Sequence, residues 1–206
     1  MFDPESLRLL AITDDLRDGR DGLVSRAIAA VRGGATMIQL RLKDADARVQ
    51  VEVARALLAA LPAEVPLIVN DRADVALAAG AAGVHVGPDD LPAVAVRRIA
   101  PPGFIVGASV GSDAEVPLAH GADYVGIGPV FATGSKADAG EAIGIATVAR
   151  LAARCAIPAV AIGGIDADRA AAVMSSGVRG VAVIRAVFSA ADPEGAARAI
   201  RSAIER

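Results

Sequence analysis

Gln39, Arg41 and Lys43 place an amide, a guanidinium and an ammonium at alternate positions where an apolar run, Thr36 to Leu40, comes to its end. Read as a strand, the run turns successive side chains to opposite faces, so all three project to one side. A guanidinium donates in a planar fork and an ammonium acts as a compact charge. Spaced this way, the set suits a phosphate or pyrophosphate held at several points. The plainer reading is a strand end whose charges simply face water.

Other aliphatic runs stop at chemistry too. Asn70-Asp71 closes one, and His85-Val86-Gly87, followed by Pro88-Asp89-Asp90, closes the next. Asp71 and Asp90 on neighbouring loops would share one Mg²⁺, which takes one or two protein carboxylates and completes its octahedron with water and substrate phosphate. Either aspartate taken alone also reads as a helix N-cap. Ser109 ends a further run, where a hydroxyl holds a phosphate oxygen or begins a helix. The longest connection, 128–144, contains Thr133-Gly134-Ser135-Lys136 and reads as a lid able to close on an anion. Ile162-Gly163-Gly164-Ile165 offers bare backbone ahead of a helix, and Val183-Ile184-Arg185 makes a similar turn. Two anion sites emerge: one from Arg41, Lys43, Asn70, Lys136 and a metal, the other from Thr133, Ser135, Gly164 and the turn at Ile184. His85 reads as a hydrogen-bonded core residue rather than a catalyst, and Cys155 as filler.

The elements that must position these groups repeat one sentence: a helix, a Gly or Pro break, then an aliphatic strand of four to six residues. Helices are expected over 23–32, 49–61, 73–79, 91–100, 113–120, 145–154, 166–176 and 193–204, each following a strand. The strands are continuously apolar, so both faces are buried, as in a parallel sheet covered by helices. Eight such units without a linker predict an α/β fold, a closed (β/α)₈ TIM barrel spanning 1–206 as one domain. A doubly wound sheet is the alternative, but no G-x-G-x-x-G follows the first strand. In a barrel, function sits at the C-terminal ends of the strands.

Composition narrows the partners. With no Trp, a single Tyr and a net charge of -3, the chain lacks both the stacking platforms and the cationic excess that nucleic acids require. One cysteine excludes an intrachain disulfide and a multi-cysteine metal site. The apolar run Leu9 to Ile12 is too short to span a membrane and the acidic start carries no signal-peptide pattern, so a cytoplasmic protein is expected. A homo-oligomer is left open.

Taken in order, Gln39-x-Arg41-x-Lys43, Val69-Asn70-Asp71, His85-Val86-Gly87-x-x-Asp90, Gly121-Ala122-Asp123-Tyr124-Val125-Gly126, Thr133-x-Ser135-Lys136 and Ile162-Gly163-Gly164-Ile165 resemble the signatures of the thiamine phosphate synthase family and its TenI-type relatives. The resemblance implies a transferase of thiamine biosynthesis that joins aminohydroxymethylpyrimidine diphosphate to hydroxyethylthiazole phosphate and releases pyrophosphate. By position it implies that Gln39, Arg41, Lys43, Asn70, Ser109 and Lys136 hold the diphosphate substrate, with Arg41, Lys43 and Lys136 stabilising the leaving group. Asp71 and Asp90 then hold Mg²⁺, and Thr133, Ser135, Gly164, Ile184 and Arg185 hold the thiazole phosphate. Leu42, Pro88, Ala132 and Arg185 depart from the usual pattern without removing a phosphate or metal ligand. The nearest rival is the TenI-type tautomerase, whose histidine after the fifth strand is matched here by Gly111. A phosphate-binding barrel without catalysis stands behind it.

Overall fold

The computed structural model describes residues 2–134 and 140–205. Eight parallel strands close on themselves in chain order: β1 (Leu9–Ile12), β2 (Met37–Leu40), β3 (Leu67–Asn70), β4 (Gly83–Val86), β5 (Ile105–Val110), β6 (Tyr124–Ile127), β7 (Ala159–Ile162) and β8 (Gly180–Val183). The register is closed by β8 pairing with β1, Leu10 opposite Ala182. The predicted (β/α)₈ barrel is therefore present.

Helices α1 (Gly19–Arg32), α2 (Ala47–Ala60), α3 (Ala73–Ala79), α4 (Ala93–Ile99), α5 (Gly144–Cys155), α6 (Ala167–Met174), α7 (Arg185–Phe188) and α8 (Pro193–Ile204) wrap it. Eight helices were expected and eight are present among the described residues, but two differences offset each other. The helix expected over 113–120 is only a 3₁₀ turn, Val116–Ala119, with proline in its first positions. The one-turn α7, ahead of α8, was not foreseen: at four residues it is too short to show helical periodicity.

Strand alternation divides the apolar residues into two shells. Val69, Val84, Val106, Val125 and Val181 pack outward with the helices, whereas Leu10, Met37, Ile68, Ile105, Tyr124, Val160 and Ala182 fill the barrel. The N-terminal end is sealed by the 3₁₀ turn Pro4–Leu7, whose Leu7 is wholly buried, and by Phe2 stacked on Tyr124 at 5.9 Å between ring centroids. Further along the same inward-facing rows stand Gln39 and Asn70, two residues beyond Met37 and Ile68, Ser109, four beyond Ile105, and His85, two beyond Gly83. The interior is thus apolar at one end and polar at the other, and the polar end is the C-terminal one.

Small residues let the strands meet. A Cβ on Gly83 would stand 2.1 Å from the Ile105 carbonyl oxygen, a backbone atom that cannot swing away. Gly83→Ala is expected to destabilise the barrel by about 3 kcal/mol, at or above the upper end of ordinary overpacking. Chemical denaturation would measure it, and an unchanged midpoint would show that β4 and β5 can part without loss.

Candidate active site

The comb at Gln39, Arg41 and Lys43 begins inside the barrel and climbs out of it. Gln39, on β2, is buried and donates from Nε2 to Oδ1 of Asn70 on β3 at 2.7 Å. The strand ends at Leu40, earlier than the comb does, yet alternation persists: Leu40 and Leu42 both pack into the outer shell. Thr13 holds the segment beyond the strand. Its Oγ1 accepts from the Arg41 N–H at 2.9 Å and donates to the Arg41 carbonyl at 3.3 Å. Thr13 was not singled out from sequence, although a wholly buried threonine at a strand end is a cue of its own. Arg41 Nε is buried with no hydrogen-bond partner among the described residues. Arg26 Nε and Arg201 Nη1 are left without a partner in the same way.

Lys43 lies at the rim of a cavity of about 910 Å³ over the C-terminal end of the barrel. Asn70, Asp71, Asp90, Ser109, Thr133, Gly164, Ile184 and Arg185 line the same cavity. Gln39 and Arg41 sit beneath or beside its wall rather than in it. Ser135 and Lys136, expected in the lid, lie outside the described residues.

The two aspartates are set by their backbones. Asp71 follows β3 at φ 63, in a three-residue turn that the Arg72 N–H closes onto the Asn70 carbonyl at 2.7 Å. A left-handed non-glycine residue in so tight a turn is strained, and such strain collects at functional sites. Lys43 Nζ stands 3.9 Å from Asp71 Oδ2. Asp90 turns back toward β4, where Oδ2 accepts the Gly87 N–H at 2.7 Å. Neither aspartate occupies an N-cap: those positions fall to Arg72 and Pro92, and neither makes a side-chain cap bond. The capping alternative is thus not realised. Among the described residues no group of three or more His, Cys, Asp or Glu could by itself hold a metal. Two carboxylates on one cavity wall do fit a Mg²⁺ that draws its remaining ligands from water and a substrate phosphate.

The opposite wall is built from glycine. Gly163 at φ 105 and Gly164 at φ 65 turn the chain after β7, and a Cβ on Gly164 would meet the Ala132 carbonyl oxygen at 2.9 Å. Val130 donates to the Ile162 carbonyl at 2.9 Å and Phe131 to that of Gly163 at 3.1 Å, so the loops after β6 and β7 are zipped together. Arg169 braces the turn from α6, donating to the Gly164 carbonyl at 2.7 Å with its guanidinium 4.9 Å over the Phe131 ring. Among the described residues the Gly164 and Ile165 N–H groups donate to no backbone acceptor. Arg185 is exposed at the start of α7.

Beside Ser109, Gly111 follows β5 directly and donates its N–H to Glu115 Oε2 at 2.7 Å. His120 is exposed. Burial raises the pKa of the half-buried Cys155 thiol, which favours the inert protonated form. No helix among the described residues is long and apolar enough to cross a membrane.

A parallel barrel with one apolar end and, at the other, a cavity that pairs cations and carboxylates with a bare glycine turn defines a phosphate-handling (β/α)₈ protein. Residues 9–187 match the family model described as thiamine monophosphate synthase, and the chain belongs to that family. It is 47% identical over 205 residues to the thiamine-phosphate synthase of Azorhizobium caulinodans, covering 98% of this chain and 97% of the relative. Identity to the Xanthobacter autotrophicus thiamine-phosphate synthase is 48% over 204 residues, with 98% and 97% covered. Among solved structures, thiamine phosphate pyrophosphorylase from Pyrococcus furiosus superposes with a TM-score of 0.88 at 40% identity, covering 98% of this chain and 97% of that one.

Proposed function

We propose that the chain joins aminohydroxymethylpyrimidine diphosphate to hydroxyethylthiazole phosphate by a dissociative route, with Mg²⁺ held by Asp71 and Asp90. The observation that carries this reading is one cavity with two unlike walls: Lys43, Asn70 and the aspartates on one side, the Gly163-Gly164 turn and Thr133 on the other. A diphosphate and a monophosphate are thereby held with their reacting ends toward each other.

The carbon–oxygen bond to the diphosphate breaks first, giving pyrophosphate and a pyrimidine methylene cation. The thiazole nitrogen then donates its lone pair to that carbon. Arg41, Lys43 and Lys136 stabilise the charge that builds on the departing pyrophosphate, where preformed cations act most strongly. When bound, Mg²⁺ adds Lewis-acid stabilisation of the same leaving group. Gln39, through its bond to Asn70, sets the amide that faces the substrate, and Ser109 supplies a hydroxyl. The thiazole phosphate rests on Thr133, Ser135, Gly164, Ile184 and Arg185. No general base is required, because the nucleophilic nitrogen carries no proton; the protein's task is alignment and charge.

Incubating the protein with both substrates should yield thiamine phosphate, lose it to a chelator and regain it with Mg²⁺. Full turnover in chelator would remove the metal from the mechanism. Isomerisation of a thiazole phosphate carboxylate without any coupling would make the chain a tautomerase instead. Arg41→Ala should lower kcat/KM by roughly 10²-fold, and Arg41→Lys should recover only part of it, because an ammonium cannot reproduce the fork. Equal activity in the two variants would refute the bidentate role.

A further inference from the structure

The barrel interior holds a polar chain for which the reaction just described has no use. Tyr124 is completely buried, and its hydroxyl has one hydrogen-bond partner among the described residues, His85 Nδ1 at 3.1 Å. The other ring nitrogen, Nε2, lies 3.0 Å from Oγ of Ser109, the hydroxyl on the cavity wall. Two glycines make room for this chain. A Cβ on Gly107 would stand 2.3 Å from Tyr124 Cζ and 2.4 Å from His85 Nδ1, and one on Gly126 would stand 3.1 Å from His85 Cε1. The imidazole thus lies between two hydroxyls, in space that the two glycines leave open.

Such a chain has a direction, because a neutral imidazole offers one donor and one acceptor. If Nδ1 carried the proton, the phenol would accept it, and the phenol's own hydrogen would point into an apolar interior with no acceptor. Leaving a buried donor unmade costs roughly 1–3 kcal/mol. Burial also raises the phenol's pKa, so its proton stays on. The economical arrangement is Tyr124 O–H donating to Nδ1, and Nε2–H donating to Ser109 Oγ. The Ser109 hydroxyl, having accepted, then directs its own proton into the cavity.

From this geometry we infer that Tyr124 and His85 are positioning residues that make Ser109 a hydrogen-bond donor, so that the substrate atom above it is an acceptor such as a phosphate oxygen or an unprotonated ring nitrogen. The inference rests on Ser109 being a substrate contact, as in the reading above. Its first consequence is visible without substrate: His85 accepts the Tyr124 hydroxyl at Nδ1 and carries a proton on Nε2.

With only two histidines in the chain, ring ¹⁵N shifts of the ligand-free protein assign cleanly once His120→Gln removes the exposed one. The expected result is a protonated Nε2 and a bare Nδ1 on His85; a proton on Nδ1, or on both nitrogens, overturns the inference whatever the protein catalyses. Tyr124→Phe deletes one oxygen from the chain and should lower kcat/KM about tenfold, the size expected when one hydrogen bond to a charged group is misdirected. In a Ser109→Ala background the same change should cost nothing further. An equal loss in both backgrounds would show Tyr124 to be merely structural. Full activity in Ser109→Ala would remove the substrate contact, and the inference with it, while thiamine phosphate formation by that variant would keep the proposed reaction standing.

Discussion

Asp71→Gly should give a protein no less stable than the parent that turns over roughly 10²–10³-fold more slowly, the range seen when one preorganised electrostatic contact to a transition state is lost. The two effects separate because Asp71 stands at φ 63 in a turn closed by its neighbours. Left-handed backbone costs an ordinary residue about 1–2 kcal/mol, and somewhat less for aspartate. Glycine removes that cost and adds about 0.5–1 kcal/mol of chain entropy to be lost on folding. The Lys43 contact at 3.9 Å, between partly exposed groups, weighs little against these. Stability therefore stays level or rises while the proposed metal ligand is lost. A melting curve and steady-state kinetics at saturating Mg²⁺ decide it. Unimpaired turnover would strip Asp71 of its role, and a marked loss of stability would mean that the carboxylate is kept for the fold.

Gly163→Ala should do the opposite, damaging fold and site together. At φ 105 an L-residue is strained wherever it sits, at about 1–3 kcal/mol. Here the added Cβ would also lie 2.5 Å from Pro129 Cβ and 2.6 Å from Pro129 Cα. Overpacking adds about 1–3 kcal/mol more. The clash pushes apart the loops after β6 and β7, which are joined by the bonds from Val130 and Phe131 to the Ile162 and Gly163 carbonyls. Once those bonds open, Gly164 and Thr133 no longer face a common point, and KM for the thiazole phosphate should rise at least about tenfold, one hydrogen-bonded anion contact's worth. A crystal structure of the variant with both loops in place, or an unaltered KM, would contradict this.

Alternation along the strands and the joints between them made the barrel legible from sequence. Continuous aliphatic runs such as Leu67 to Val69 and Ala159 to Ile162, each launched from a proline break, admit few arrangements other than a helix-covered parallel sheet. The rim residues were legible for the same reason: where an inward-facing row turns from Met37 to Gln39, or from Ile68 to Asn70, the change of polarity marks the C-terminal mouth. The lysines are a further cue. Lys43 and Lys136 are the only lysines in a chain with 21 cationic residues, and both fall within site motifs, where a compact ammonium differs most from an arginine fork.

What sequence alone determined, then, is which residues share a face and which end of each strand meets the cavity, because both follow from a period of two carried by local backbone geometry. It could not determine whether Asp71 and Asp90 cap helices or face a ligand, since capping and coordination ask for the same residue type at the same place. Nor could it reveal that Thr13 clamps Arg41, or that Tyr124 reaches Ser109 through His85. Those contacts join strands far apart along the chain, and they come into being only when the sheet closes and its inward-facing rows converge on a single axis.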